Sequence, residues 1–172
     1  MNERKMNQLK EAVEQYDIDV LLLNEVNTKW NTVNISRMER IIKQINRAAV
    51  LIENDSGQHH VTNNDYLPGG IMNIIFQKCA PIYQKKKTVK GRLGNWSAIA
   101  LEYNRKQLEV INLYRIPSSS SNGESCSYTQ YVLVDKRVKT ITDYRREVLQ
   151  EIKHHILKNQ DITDIIIAGD YN

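Results

Sequence analysis

The stretch Asp164-Ile165-Ile166-Ile167-Ala168-Gly169-Asp170-Tyr171-Asn172 decides how the remainder of the sequence is read. Its apolar run is too short for a stable helix and is dominated by β-branched isoleucine. It therefore predicts a buried strand, with Asp170 and Asn172 falling at the carboxyl end. The same arrangement occurs twice upstream. Ile18-Asp19-Val20-Leu21-Leu22-Leu23 runs into Asn24-Glu25, and Leu108 to Leu113 runs into Tyr114. Any one of these carboxylates is explained as well by a cap or a turn. Three apolar strands that each end in a reactive side chain point instead to a site, because strand ends are where open α/β sheets bind ligands.

Between these strands the apolar periodicity alternates between helix and strand. Met6, Leu9, Val13 and Tyr16 recur at helical spacing, which predicts an amphipathic helix packed on a sheet. Ser36 with Glu39 three residues later predicts a capping box, followed by one apolar face of Met38, Ile41, Ile42 and Ile45. A third helix is predicted from Thr142, as cap, to about Asn159, with Tyr144, Val148, Leu149, Ile152 and Ile156 on one face. Residues 49–52, 71–76, 81–89, 97–103 and 108–114 read as strands, with a hairpin turn over 104–107. Residues 53–68, which include His59 and His60, read as a surface loop ended by Gly69-Gly70. The Ser-rich segment 117–127 reads as a mobile loop inside one domain. His154 and His155 are expected at the surface or boundary of the third helix.

A chain of 172 residues, 41% hydrophobic and 26% charged, can bury one sizeable core and is neither linker nor tail. Its formal charge of +4 mildly favours an anionic partner. Cys79 and Cys126 have no ligand-spaced Cys or His beside them and read as reduced thiols. The opening Met1-Asn2-Glu3-Arg4-Lys5 lacks the apolar core of a secretory signal, and no apolar run approaches the roughly 18 residues of a membrane span. A soluble intracellular protein, nuclear or cytoplasmic, is the expectation.

Taken in order, Asn24-Glu25-Val26-Asn27, Gly69-Gly70-Ile71, Gly91-Arg92, Val110-Ile111-Asn112-Leu113-Tyr114 and Ala168-Gly169-Asp170-Tyr171-Asn172 resemble the motif series of the endonuclease/exonuclease/phosphatase superfamily. The resemblance runs from about Asp17 to Asn172, and Gly-Asp-x-Asn after a buried strand is its strongest motif. Arg115 after the tyrosine, the Ser-rich loop and Tyr128-Thr129-Gln130 before a long helix look like the apurinic/apyrimidinic-type nuclease domains of non-LTR retrotransposons. The resemblance implies a DNase I-like four-layer α/β sandwich and phosphodiester hydrolysis, as in a DNA-nicking endonuclease. It implies a Mg2+ ion, or Mn2+ in its place, held by Glu25, since a hard cation prefers carboxylate and water oxygens. Asp170 would orient or deprotonate water. Asn172 would hydrogen-bond phosphate or nucleophile, and Tyr114 would donate to a phosphate oxygen.

By the same resemblance the chain is the amino-terminal part of its domain, residues 1–172 being incomplete. A strand bearing an Asn would precede it, and a later Asp and His would follow, with a reverse transcriptase domain encoded downstream. The four histidines present do not match the later motif. The chain alone is thus expected to be inactive and poorly stable. Two further readings stay open: a phosphatase of phosphorylated lipid or inositol on the same fold, and a non-catalytic remnant or nucleic-acid-binding module.

Lys85, Lys86, Lys87 and Lys90, with Arg92 behind them, form the densest positive run and could track a phosphate backbone; a lysine-protected edge strand is the plain alternative. Arg115 stands at the mouth of the site, where a guanidinium grips phosphate bidentately or pairs with a carboxylate. Asn27 and Trp30 follow Glu25 and are candidate substrate contacts, though Trp30 equally suits packing.

Overall fold

Strand alternation builds the molecule as two facing sheets with helices outside them. The computed structural model describes residues 3–54, 69–115, 140–159 and 163–171. The first sheet holds β1 (Val20–Asn24), β2 (Val50–Asn54) and β3 (Ile71–Ile75) in the order β1-β3-β2, antiparallel throughout. The second holds β4 (Val89–Lys90), β5 (Trp96–Tyr103), β6 (Lys106–Tyr114) and β7 (Thr163–Asp170) in that order; only the β6–β7 pair is parallel.

Successive side chains on a strand point to opposite faces, so each strand serves two cores. Val20, Leu22, Val50, Ile52 and Ile75 meet Ile99, Leu101 and Val110 between the sheets. Leu21, Leu23, Met72 and Ile74 face outward onto α1 (Glu3–Gln15) and α2 (Thr32–Ile45), where Val13, Met38 and Ile42 are buried. On the other side Trp96, Ala98, Ile111 and Leu113 pack against Tyr144, Val148 and Ile152 of α3 (Ile141–Asn159). The layers run helix, sheet, sheet, helix. Fully buried isoleucines at 42, 74, 75, 99 and 111 anchor all three cores, each contributing about 1.5–3 kcal/mol relative to exposure.

Several local expectations need correction. Residues 81–89 do not form a strand. Pro81 sits in a 3-10 turn (Ala80–Ile82), a second 3-10 turn holds Lys85–Lys87, and β4 comprises only Val89–Lys90. Proline presets that first turn and has no N–H to donate to a ladder. Helix α2 starts four residues before Ser36: Asn31 is its cap, the side chain accepting from the Asn34 N–H at 2.8 Å. Helix α3 is capped by Thr140, whose Oγ1 accepts from the Asp143 N–H at 3.1 Å, and Thr142 lies in its first turn. Leu149 is exposed rather than on the buried face. Strand β7 is not buried on both faces: Ile166 and Ile167 are 50% and 43% exposed.

Candidate active site

Strands β6 and β7 run parallel with Tyr114 opposite Asp170, so both chains reach the same end of the sandwich with these side chains on its inner face. Strand β1 of the other sheet reaches that end too. The Tyr114 hydroxyl donates a short hydrogen bond to Glu25 Oε1. The structure thus brings Glu25 and Tyr114 into contact and pairs Asp170 in register with Tyr114 on the neighbouring strand. Asn172 lies outside the described residues.

Glu25 is presented by an unusual backbone. Glu25 and Asn27 both have φ of 52°, a left-handed conformation that costs a non-glycine residue of order 1–3 kcal/mol. The Gly69-Gly70 pair holds it in place. Val26 N–H donates to Gly70 O at 3.3 Å, Asn27 N–H to Gly69 O at 2.9 Å, and Gly69 N–H back to Asn27 Oδ1 at 2.8 Å. The glycines themselves take φ of 80° and 75°, which is why this clamp is built from them. The Asn27 side chain is therefore part of the clamp. Trp30 packs with the apolar core under α1 and α2.

The other two strand ends are held as firmly. Tyr114 N–H donates to Asn95 O at 2.7 Å, and Asn95 Nδ2 donates to Tyr114 O at 3.2 Å. Asn95 is fully buried, and its Oδ1 accepts from the Tyr144 hydroxyl of α3. Gly169 has φ of 145°, and a Cβ there would collide with the Leu113 carbonyl. A glycine before Asp170 is what lets β7 lie this close to β6. Arg115 N–H donates to Asp170 O at 2.8 Å, and its Nη1 to Tyr171 O at 3.4 Å.

Behind these residues the sheet interface turns polar, which the sequence reading missed. Asn112 Nδ2 donates to Asn73 Oδ1 at 2.7 Å and Asn73 Nδ2 to Ser97 Oγ at 2.7 Å, all three residues being fully buried. Asn54 Nδ2 donates to Gly91 O and Trp96 O. Asn24 Nδ2 reaches Leu113 O at 3.5 Å, joining the sheets. Two amide oxygens, Asn24 Oδ1 and Asn112 Oδ1, are buried with no hydrogen-bond partner among the described residues. Buried acceptors normally have one, so an oxygen-seeking ligand is their natural complement. The one trace in the sequence is an asparagine inside an otherwise apolar strand, which gains meaning only once the facing strand is known.

Among the described residues no three His, Cys, Asp or Glu side chains cluster as a metal cage. A Mg2+ site does not require one, since that ion keeps several waters and uses one or two carboxylates plus substrate phosphates. Glu25, with the unpartnered amide oxygens close to its strand, suits such a hard cation.

The basic run is largely internally compensated. Lys87 pairs with Glu102 at 2.7 Å, Lys90 with Glu53 at 2.7 Å, and Arg92 with Glu151 at 3.2 Å and Glu147 at 3.6 Å. The Lys87 ammonium holds the Glu102 carboxyl below its usual range. Lys85 and Lys86 are exposed. His155 is not a surface residue: it is buried, 2.8 Å from Glu109 Oε2 and stacked obliquely near Trp96. His154 is exposed, as expected. His59, His60, Cys126, residues 117–127 and Tyr128-Thr129-Gln130 lie outside the described residues. No helix of the described residues is long and apolar enough to cross a membrane.

No family model and no curated protein matches the sequence. Solved structures do match. A humanized D. rerio TDP2 aligns over 96% of this chain and 57% of its own, with 11% identity and a TM-score of 0.52. The human Nocturnin catalytic domain, solved with a sulfate anion, aligns over 99% and 57%, with 12% identity and a TM-score of 0.51. ANGEL2, described as a 2',3'-cyclic phosphatase, aligns over 95% and 42%, with 12% identity and a TM-score of 0.52. The chain spans about half the length of the solved structures it matches. It has a mixed α/β architecture with the DNase I-like fold of the endonuclease/exonuclease/phosphatase proteins.

Proposed function

We propose that this chain carries part of a divalent-metal-dependent phosphodiesterase acting on nucleic acid, in the finer reading a DNA-nicking endonuclease of a non-LTR retroelement. The observation that carries the proposal is the Tyr114–Glu25 contact beside Asp170, with unpartnered asparagine oxygens behind it. Glu25, with Asn24 or Asn112 oxygens in support, would hold Mg2+ or Mn2+. When bound, that ion supplies charge neutralisation for a phosphate and its leaving oxygen.

The chain's own residues account for the rest. Asp170, on the strand next to Tyr114, would orient a water and accept its proton. Tyr114 has a single proton to give, and a phosphate oxygen arriving beside Glu25 competes for it. That makes the hydroxyl a donor aimed where charge develops. The Asn95 and Gly69-Gly70 clamps fix both groups before substrate arrives, which favours positioning over rearrangement. Asn172, next in the motif, would hydrogen-bond the phosphate or the nucleophile.

The retroelement reading is supported by Arg115 directly after Tyr114 and by the Ser-rich segment before α3, as in the motif order above. A reverse transcriptase encoded in the same transcript would accompany it. The test is cleavage of supercoiled plasmid with Mg2+ by the full-length domain of which this chain is part. Nicking that EDTA abolishes and Asp170→Ala removes supports the proposal. Nicking that survives either treatment, or hydrolysis of a phosphoinositide with plasmid left intact, contradicts it.

A further inference from the structure

Helix α3 segregates its charges. Glu147 and Glu151 turn towards Arg92 on the β4 side. On the opposite flank, towards β7, Arg145, Arg146 and Lys153 line one cleft together with Arg115, Thr142, Leu149 and Gln150. Arg146 and Lys153 lie seven residues apart on one face of the helix, so the cations extend about 10 Å along it, more than one phosphate group requires.

A second cavity of about 210 Å³ adjoins the first and shares Arg115, Arg145 and Leu149 as walls. Its lining is mainly apolar, with Val148 and Leu113 inside and Tyr171 at its edge, 51% exposed. Among the described residues none lining either cleft carries a carboxylate, although Arg146 is paired with Asp143 at 2.7 Å. Partial burial and the neighbouring Arg115 charge hold the Arg145 guanidinium below its usual range. The Arg115 contribution, second to burial, places the two guanidinium charges near each other, and an anion between them would relieve that repulsion. Arg115 is bonded through its backbone to Asp170, so the flank begins at the candidate active site.

We infer that the α3–β7 flank is a binding track for a single-stranded nucleic acid segment, with Arg145, Arg146, Lys153 and Arg115 following the backbone and Tyr171 offering a stacking face beside the apolar cavity. A basic groove bordered by an exposed aromatic is the combination that holds single strands without sequence preference. The inference rests on the nucleic-acid reading above and gives its substrate a path: the strand leaves the active site along α3 rather than over Lys85–Lys87.

The test is fluorescence anisotropy of a labelled oligodeoxythymidylate with the protein in EDTA, over a series of salt concentrations. Because no metal is present, failure of hydrolysis and failure of this track are read separately. Arg146→Glu/Lys153→Glu is expected to weaken binding tenfold or more. It should also flatten the log–log salt dependence by about 1.4, at roughly 0.7 per phosphate contact. Tyr171→Ala is expected to weaken binding about fivefold or more. Arg40→Glu/Lys43→Glu makes the same change of net charge on α2, in the opposite outer layer, and should change binding less than twofold. Arg146 and Lys153 are exposed, so these changes should leave the circular dichroism spectrum intact; Arg146→Gln/Lys153→Gln is the milder alternative. Equal losses in the α2 and α3 variants would overturn the inference, as would no binding by the unaltered protein. Displacement of the oligonucleotide by phosphoinositide vesicles that themselves depend on Arg146 and Lys153 would overturn it in favour of a headgroup site.

Discussion

The Tyr114 hydroxyl and the Glu25 carboxylate, 89 residues apart in sequence, meet in a hydrogen bond that joins the end of β6 in one sheet to the end of β1 in the other. The bond closes the sandwich where its interior becomes polar. Tyr114→Phe removes the only donor Tyr114 has for Glu25. A hydrogen bond to a charged group is worth about 1.5–3 kcal/mol, and loss of a donor to a transition state costs about 10²–10³ in rate. The variant should fold with a lowered melting temperature and lose hydrolysis by at least 10²-fold. A melt and an activity unchanged from the unaltered protein would remove Tyr114 from the site.

Gly169→Ala should be far more damaging than an ordinary glycine replacement. The residue adopts φ of 145°, and the added methyl would overlap the Leu113 carbonyl in the neighbouring strand. The parallel β6–β7 pairing should be lost or displaced, seen as amide exchange becoming fast at Ile111 and Ile167. A variant with native-like protection at both positions would show that the strands can separate at little cost.

Asn95 should matter through Tyr114 rather than by itself. Asn95→Ala deletes the Nδ2 bond to the Tyr114 carbonyl and the Oδ1 acceptor of the Tyr144 hydroxyl, which keeps only its longer bond to Leu93 O at 3.3 Å among those described. A cost of about 1–3 kcal/mol is expected for the unsatisfied buried groups. A cycle with Tyr144→Phe should show coupling above about 0.5 kcal/mol, as neighbours in one network do. Additive effects in urea denaturation would mean that Asn95 and Tyr144 act independently.

The buried Glu109–His155 pair predicts a compensation. His155→Phe leaves Glu109 under α3 without that partner and should destabilise the fold by about 1–3 kcal/mol. Replacing both, as Glu109→Leu/His155→Phe, should recover most of the loss, because apolar substitution of a buried ionisable pair is often neutral or stabilising. Denaturation midpoints of the three variants decide this, and a double variant weaker than the single one would contradict it.

Burial, with Asp19 close by, pushes the Cys79 thiol above its usual range. The thiolate is the reactive form, so alkylation by iodoacetamide at pH 8 should be slower than for a free thiol and should accelerate only at higher pH. Fast labelling at pH 7 would show that the segment around Cys79 is open.

The parts of this fold that were legible in sequence are those in which one residue type has one physical use. Runs such as Leu21-Leu22-Leu23 and Ile165-Ile166-Ile167 mark strands, and the polar residues after them mark strand ends. The asparagines at 54, 73, 95 and 112 were not legible, because an asparagine in a strand pattern reads as a blemish until the partner strand is known. His155 was misplaced for a related reason: its partner Glu109 lies on a strand 46 residues away. The start of α2 was missed because Asn31 caps as well as Ser36 would, and the first turn, Thr32 to Asn34, carries little apolar signal. The lysine run suggested a phosphate track because its carboxylate partners come from three separate stretches of sequence, Glu53 on β2, Glu102 on β5, and Glu147 with Glu151 on α3.

The central claim is that Glu25, Tyr114 and Asp170 surround one cation-binding position, and paramagnetic broadening by Mn2+ tests it most directly, with no need of catalysis. At substoichiometric Mn2+ the amide resonances of Asn24, Tyr114 and Asp170 should broaden first, and Glu25→Gln should abolish the effect while the spectrum otherwise stays native. Broadening centred on other carboxylates, such as Glu53 or Glu102, or broadening that persists in Glu25→Gln, would contradict the account.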